Sequence, residues 1–121
     1  MAELKDDCLF CKIIRGELPS AKVFESDRVL AFRDIQPAAK EHILFIPKKH
    51  LATMNDVQGE DWTYISEILQ AAVQVAGELG IAEDGYRLVN NCNKQGGQVV
   101  YHIHYHLLGG EQLGSVNAKS E

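Results

Sequence analysis

The chain has 121 residues, the length of one ordinary domain and too short for a second core. Hydrophobic residues make up 45% and charged residues 24%, a globular balance that argues against intrinsic disorder, collagen and coiled coil. Lys plus Arg is 12 and Asp plus Glu is 17, a formal charge of −5 with the five histidines neutral, which favours neither a nucleic-acid footprint nor an anionic membrane. A small anion held by backbone N–H groups and histidines stays open.

In chain order, Met1 to Asp7 lacks the basic-then-apolar pattern of a secretory signal, and no apolar run approaches the roughly 18 to 20 residues of a membrane helix. A cytoplasmic protein is expected. The odd cysteine count speaks against a disulfide scaffold, and Cys92 reads as a small buried hydrophobe. Asp6-Asp7 can cap a short helix whose Phe10, Ile13 and Ile14 keep helical spacing and which Gly16 ends. Lys22 to Phe24 and Arg28 to Phe32 are strand candidates around the turn Glu25-Ser26-Asp27, and Pro37 marks a loop. His42 to Ile46, stopped by Pro47, reads as a third strand.

From about Gly59 to Leu79 the period becomes helical. Trp62, Ile65, Ile68, Leu69, Ala72, Val73, Ala76 and Leu79 fall on one stripe, with Asp56 as a cap before it and Gly80 after it. Tyr86 to Asn90 is a fourth strand, Asn91 to Gly97 a polar loop, and Gln98 to Leu108 a long fifth strand ended by Gly109-Gly110. Strands, one long helix and strands again give an α+β class with a mainly antiparallel sheet.

The sharpest feature is His102-Ile103-His104-Tyr105-His106. Strand side chains alternate, so three imidazoles share one face about 6.6 Å apart while Tyr101, Ile103, Tyr105 and Leu107 take the other. Each imidazole is a possible nucleophile, acid, base or metal ligand. H-x-H on a strand is also a good zinc chelator, yet no Asp or Glu lies between Gly85 and Gly110 to support a catalytic metal. Gly96-Gly97-Gln98 just before the histidines is either a plain turn or a phosphate cradle.

These residues resemble the histidine triad (HIT) superfamily. Gly96 to Gly110 is similar to its Hint branch of nucleoside phosphoramidases, as are Phe10, Lys12-Ile13-Ile14, Leu18-Pro19, Phe32-Arg33-Asp34-Ile35, His42 and Ile46 to His50. The resemblance implies one HIT domain over 1–110 with a C-terminal tail over 111–121. It implies a HIT-like fold, a five-stranded antiparallel sheet with one long and one short helix, continued across a homodimer. It implies hydrolysis of adenosine or guanosine 5′-phosphoramidates or aminoacyl-adenylates through a nucleotidyl-histidine on His104, with no cofactor needed for catalysis.

By the same resemblance, His102, His106, Asn91 and Gln98 join His104 in catalysis, and Gly97, Gln98 and Val99 hold phosphate with His104 and His106. Asp34 takes the ribose hydroxyls, and Leu9, Phe10, Leu18 and Ile35 the base. His42 is read as a supporting neighbour. Many relatives carry a hydroxyl where this chain has Val99, so side-chain assistance at the phosphate is lost while the backbone N–H can still donate. Some relatives hold a structural zinc on residues that correspond to Cys8, Cys11, His50 and His102. The partners implied are a purine nucleotide and a second copy of the chain. A nucleotide-binding regulatory protein, a dinucleoside polyphosphate hydrolase and a zinc hydrolase are the alternatives.

Overall fold

A computed structural model describes residues 3–117, so 118–121 of the expected tail lie outside the described residues. A short helix α1 (Leu9–Ile14) leads into β1 (Lys22–Glu25), β2 (Val29–Arg33) and β3 (Glu41–Pro47). Two 3-10 turns, Met54–Asp56 and Gly59–Asp61, precede the long helix α2 (Trp62–Glu78), and β4 (Tyr86–Asn90) and β5 (Tyr105–Gly109) complete the sheet. The strands pair antiparallel in the order β1-β2-β3-β5-β4.

Both helices end where the glycines indicate. Gly16 and Gly80 adopt left-handed φ of 78° and 76°. Behind α2, the Ile81 N–H reaches Ala76 O and the Gly80 N–H reaches Gly77 O, the paired bonds of a Schellman cap. The starts differ from expectation. Cys8, not Asp6 or Asp7, caps α1, its sulfur accepting the Cys11 N–H at 3.4 Å. Asp56 closes a capping box on Thr53 instead of capping α2. The helical stripe begins at Trp62 because residues 59–61 wind as a 3-10 turn, with the Asp61 carboxylate turned to the Gln58 N–H and to Lys49.

Strand alternation splits the apolar residues into two layers. Val29, Ala31, Ile43, Phe45 and Leu107 pack under Ile65, Ile68, Ala72, Val75 and Ala76 of α2. Leu30, Phe32, Leu44 and Ile46 pack under Phe10, Cys11 and Ile13 of α1. On α2, Trp62, Leu69 and Val73 stay 51%, 40% and 57% exposed, so the apolar arc is wider than this sheet covers.

β5 is shorter than expected. Phe45 pairs with Tyr105, and there the ladder stops, although Gln98 to His104 reads as strand. Pro47 lacks an N–H, and its carbonyl accepts from His102 Nε2 at 3.0 Å. The Ile103 N–H turns instead to Leu51 O at 2.7 Å. The alternation of side chains nevertheless survives, with Ile103 and Leu107 in the α2 layer and His102 and His104 edge-on to Phe10 in the α1 layer.

Ile68 is fully buried between α2 and the sheet. Ile68→Ala should lower stability by about 2–5 kcal/mol, the usual cost of emptying an aliphatic core site. Chemical denaturation should show a lower midpoint at an unchanged slope.

Candidate active site

β3 and β5 set the histidines. His106 lies on β5 opposite Leu44, and His42 lies two residues earlier on β3, on the same face. His104 precedes the strand; its backbone oxygen accepts Asn90 Nδ2 at 3.0 Å, which fastens it to the end of β4. The His104 and His106 rings stand 5.1 Å apart, and those of His42 and His106 also 5.1 Å.

The hydrogen bonds fix the tautomers. A carbonyl can only accept, so the 2.9 Å contact between His104 Nδ1 and His102 O puts the proton on Nδ1 and leaves Nε2 a lone pair. His42 Nδ1 accepts the Ala38 N–H at 2.9 Å, so the neutral ring carries its proton on Nε2. That Nε2–H donates to His106 Nδ1 at 2.9 Å, which leaves His106 an Nε2–H. Burial lowers His42 from its ordinary value against the opposing pull of Asp34. Burial, then His104 and His42, push His106 down to about 4, again against Asp34. Both rings are therefore neutral near pH 7.

His104 and His106 open onto a cavity of about 930 Å³. Leu9, Phe10, Leu18, Ile35, Asp34, Asn91, Gly97 and Val99 line it with them. Phe10 is buried, whereas Ile35 is 95% and Val99 86% exposed at the rim. Asn91 Nδ2 donates to Gly96 O at 2.7 Å, and Asp34 Oδ1 accepts the Gln36 N–H at 2.8 Å, which leaves Oδ2 facing His42 at 3.6 Å.

Three expectations are redrawn. Gln98 does not line the cavity: its Oε1 accepts the Asn93 N–H at 2.8 Å, and its Nε2 donates to Ala52 O at 2.8 Å and Val100 O at 3.0 Å. Its amide is fully engaged in holding the loop. The Gly97 and Gln98 N–H groups donate to Lys94 O and Asn93 O, so of the three cradle amides only that of Val99 lacks an acceptor among the described residues. His102 is fully buried and lies outside the cavity. Sequence reasoning also missed the Ala38 N–H and gave His42 too small a part. The placement of His42 two residues before Leu44 on the histidine face is the signal that could have found it.

Among the described residues, two clusters have metal-ligating side chains within 4.8 Å of one another, and hydrogen bonding separates them. In Asp34, His42 and His106, a metal would need the His42 Nε2 lone pair. That moves the ring proton to Nδ1, against the Ala38 N–H. The trio is built to pass hydrogen bonds. In Cys8, Cys11, His50 and His102 the reverse holds. His102 gives its Nε2–H to Pro47 O and turns its Nδ1 lone pair to Cys8 Sγ at 3.3 Å and Cys11 Sγ at 3.5 Å. His50 Nδ1 lies 3.4 Å from Cys11 Sγ. Cys11 Sγ accepts the Lys5 N–H at 3.3 Å and Cys8 Sγ the Cys11 N–H at 3.4 Å. Burial first, and the neighbouring Cys8 with it, push the Cys11 thiol up to about 11 against the Lys5 N–H, a cost that a bound cation removes. Two thiols and two imidazoles, one of them held by Pro47 O through its other nitrogen, fit a tetrahedral metal.

The HIT domain family model matches residues 15–113. The purine nucleoside phosphoramidase of Escherichia coli (strain K12) is 50% identical over 115 residues, covering 95% of this chain and 97% of that protein. A HIT family hydrolase from Legionella pneumophila is 54% identical, covering 93% of this chain and all of that one, with a TM-score of 0.89. A histidine triad protein from Clostridium difficile is 44% identical, covering 95% of this chain and all of that one, with a TM-score of 0.91. With the family's histidines on one face of the sheet and its pattern matched along nearly the whole chain, this protein belongs to the HIT family.

Proposed function

We propose that this protein is a nucleotide hydrolase that cleaves the P–N bond of purine nucleoside phosphoramidates, or the P–O bond of aminoacyl-adenylates, through a nucleotidyl-His104 intermediate. The observation that carries this reading is the pair of tautomers: a lone pair on His104 Nε2 beside an N–H on His106 Nε2. Likeness to the phosphoramidase of Escherichia coli supplies the substrate class.

The neutral His104 Nε2 attacks the α-phosphorus. Charge gathers on the non-bridging oxygens, where His106 Nε2–H and the Val99 N–H are the donors. In a phosphoramidate the P–N bond breaks as the nitrogen takes a proton from solvent and leaves as the amine; in an aminoacyl-adenylate the P–O bond breaks and the carboxylate leaves. Water then attacks phosphorus, and the P–Nε2 bond breaks to restore the free imidazole. Asp34 takes the ribose hydroxyls, and Leu9, Phe10, Leu18 and Ile35 take the base. Asn91 and Gln98 keep the Gly97–Val99 loop in place. The Val99 side chain has no donor, so its backbone alone serves the phosphate. Cys8, Cys11, His50 and His102 would hold a zinc ion, which would crosslink α1 to the sheet and take no part in bond breaking. A cytoplasmic setting keeps these thiols reduced.

A second copy completes the reading. α2 leaves Trp62, Leu69 and Val73 uncovered, and β4 is an edge strand with free main-chain groups. Pairing the two β4 edges continues the sheet across a homodimer. Light scattering should give twice the chain mass, and Trp62→Lys with Val73→Glu should shift the population to monomer.

His104→Ala should lower the hydrolysis of an adenosine 5′-phosphoramidate by more than about a thousandfold. Rapid quench and intact mass should show a nucleotidyl adduct on the wild type and none on the variant. Equal rates for both would leave a nucleotide-binding protein without this chemistry.

The histidine ladder also sets a pH dependence. An unfolded histidine takes a proton near pH 6.5, while folded His106 resists until about 4 and folded His42 is likewise lowered. Their depressed values contribute stability that is fully present above the unfolded value and is lost as pH falls towards the folded one. Thermal melts should be flat above pH 7 and decline from about 6.5 towards 4, and His106→Asn should make the decline shallower.

A further inference from the structure

α1 is six residues long, too short to hold itself together, and yet Leu9, Phe10 and Ile13 on it form one wall of the cavity. Among the described residues, every hydrogen bond from residues 8–14 to the chain beyond residue 17 runs through two sulfurs. Cys8 Sγ meets His102 Nδ1, and Cys11 Sγ meets His102 Nδ1 and His50 Nδ1. Apart from these, apolar packing on Leu30, Phe32, Leu44 and Ile46 is what seats the helix. Thiol–imidazole contacts are weak hydrogen bonds, whereas metal bonds on the same atoms are strong and directional.

The same cluster touches the nucleophile twice. The Phe10 ring stands edge-on to His104 with centroids 5.2 Å apart, between two metal-ligating positions on its own helix. His102, a member of the cluster, offers the carbonyl that holds the His104 proton on Nδ1.

We infer that the Cys8–Cys11–His50–His102 cluster, when it holds zinc, sets both nucleotide affinity and the tautomer of His104, with Cys8 and Cys11 acting as positioning residues. Zinc seats α1, α1 seats Phe10 against His104, and the fixed His102 carbonyl keeps Nε2 free to attack. This rests on the reading of the cavity as a purine nucleotide site.

Metal analysis of untagged, dialysed protein first establishes loading, with about one zinc per chain expected. Calorimetry then compares AMP binding to zinc-loaded and chelator-stripped wild type. Stripping should weaken AMP about tenfold, the loss of one edge-on aromatic wall. Linkage demands the reciprocal effect: saturating AMP should tighten zinc by the same factor against a chromophoric chelator. The ring ¹⁵N spectrum of His104 should show a single Nδ1–H tautomer when loaded and a mixture when stripped.

Phe10→Ala should keep its zinc, lose AMP affinity to the same degree, and show little further loss on stripping. Adding zinc back should restore the stripped wild type, and Cys8→Ser with Cys11→Ser should not respond. Unchanged AMP affinity and an unchanged tautomer in stripped, folded protein would overturn the inference. So would a zinc affinity that keeps rising with AMP without a plateau, because that means stripping unfolds the whole chain. If zinc-loaded wild type fails to bind AMP, the nucleotide reading falls, and the ¹⁵N spectrum still decides whether the cluster controls His104.

Discussion

The 2.9 Å hydrogen bond from His104 Nδ1 to the carbonyl of His102 is the contact on which the site turns. It joins residues two apart, so it depends on the course of the backbone from His102 to His104. In a regular strand, the carbonyls on either side of β5 would be committed to β3 and β4. The bond exists because the chain leaves the ladder before Tyr105. Pro47 enforces the departure: it lacks a donor, and its own carbonyl is taken by the His102 ring. A proline on β3 thus helps decide which nitrogen of His104, just ahead of β5, meets the cavity.

The sheet, its two faces and the long helix were all readable from residue types. Alternation in Val29 to Arg33 and Glu41 to Pro47 sends one set to α2 and the other to α1. The histidine run obeys the same period, which is why all three rings were expected on one side. What pattern could not reveal was pairing. Gln98 to His104 has the composition of a strand, yet its partners are Leu51 O, Ala52 O and the Asn93 backbone. Side-chain period records which way a residue points and is blind to whether a neighbouring strand exists. The α2 stripe erred in the same way. Trp62, Leu69 and Val73 keep helical spacing with the core residues but lie on a flank that this chain leaves bare.

Within the site, residue type predicted location better than role. Phe10, Asp34, Ile35, Asn91, Gly97 and Val99 all line the cavity. Gln98 stands in the same motif and is turned away, because a buried amide needs partners for both its donors and its acceptor, and three main-chain groups supply them. The Gly97 and Gln98 amides are likewise taken by carbonyls of the same loop, so of the Gly97–Val99 amides that of Val99 is the one left for a ligand among the described residues. Such competition between internal and ligand hydrogen bonds is set by the fold and leaves no mark on the motif.

Five histidines in one small domain could all have been ligands, or all catalysts, and for four of them the group behind the ring decides. His102 has a carbonyl behind Nε2, so its lone pair points to the thiols. His104 has a carbonyl behind Nδ1, so its lone pair is on Nε2. His42 has an N–H behind Nδ1, so it must donate through Nε2, and His106, accepting that proton's hydrogen bond, becomes a donor in turn. A carbonyl behind the ring makes a ligand or a nucleophile, and an N–H behind it makes a hydrogen-bond donor. The chemistry of the imidazole is thus assigned by backbone groups of Pro47, His102 and Ala38, none of which any side-chain motif would select. His102 stands at the junction, its ring in the thiol cluster and its carbonyl on the nucleophile, which ties the order of α1 to the tautomer at the centre of the site.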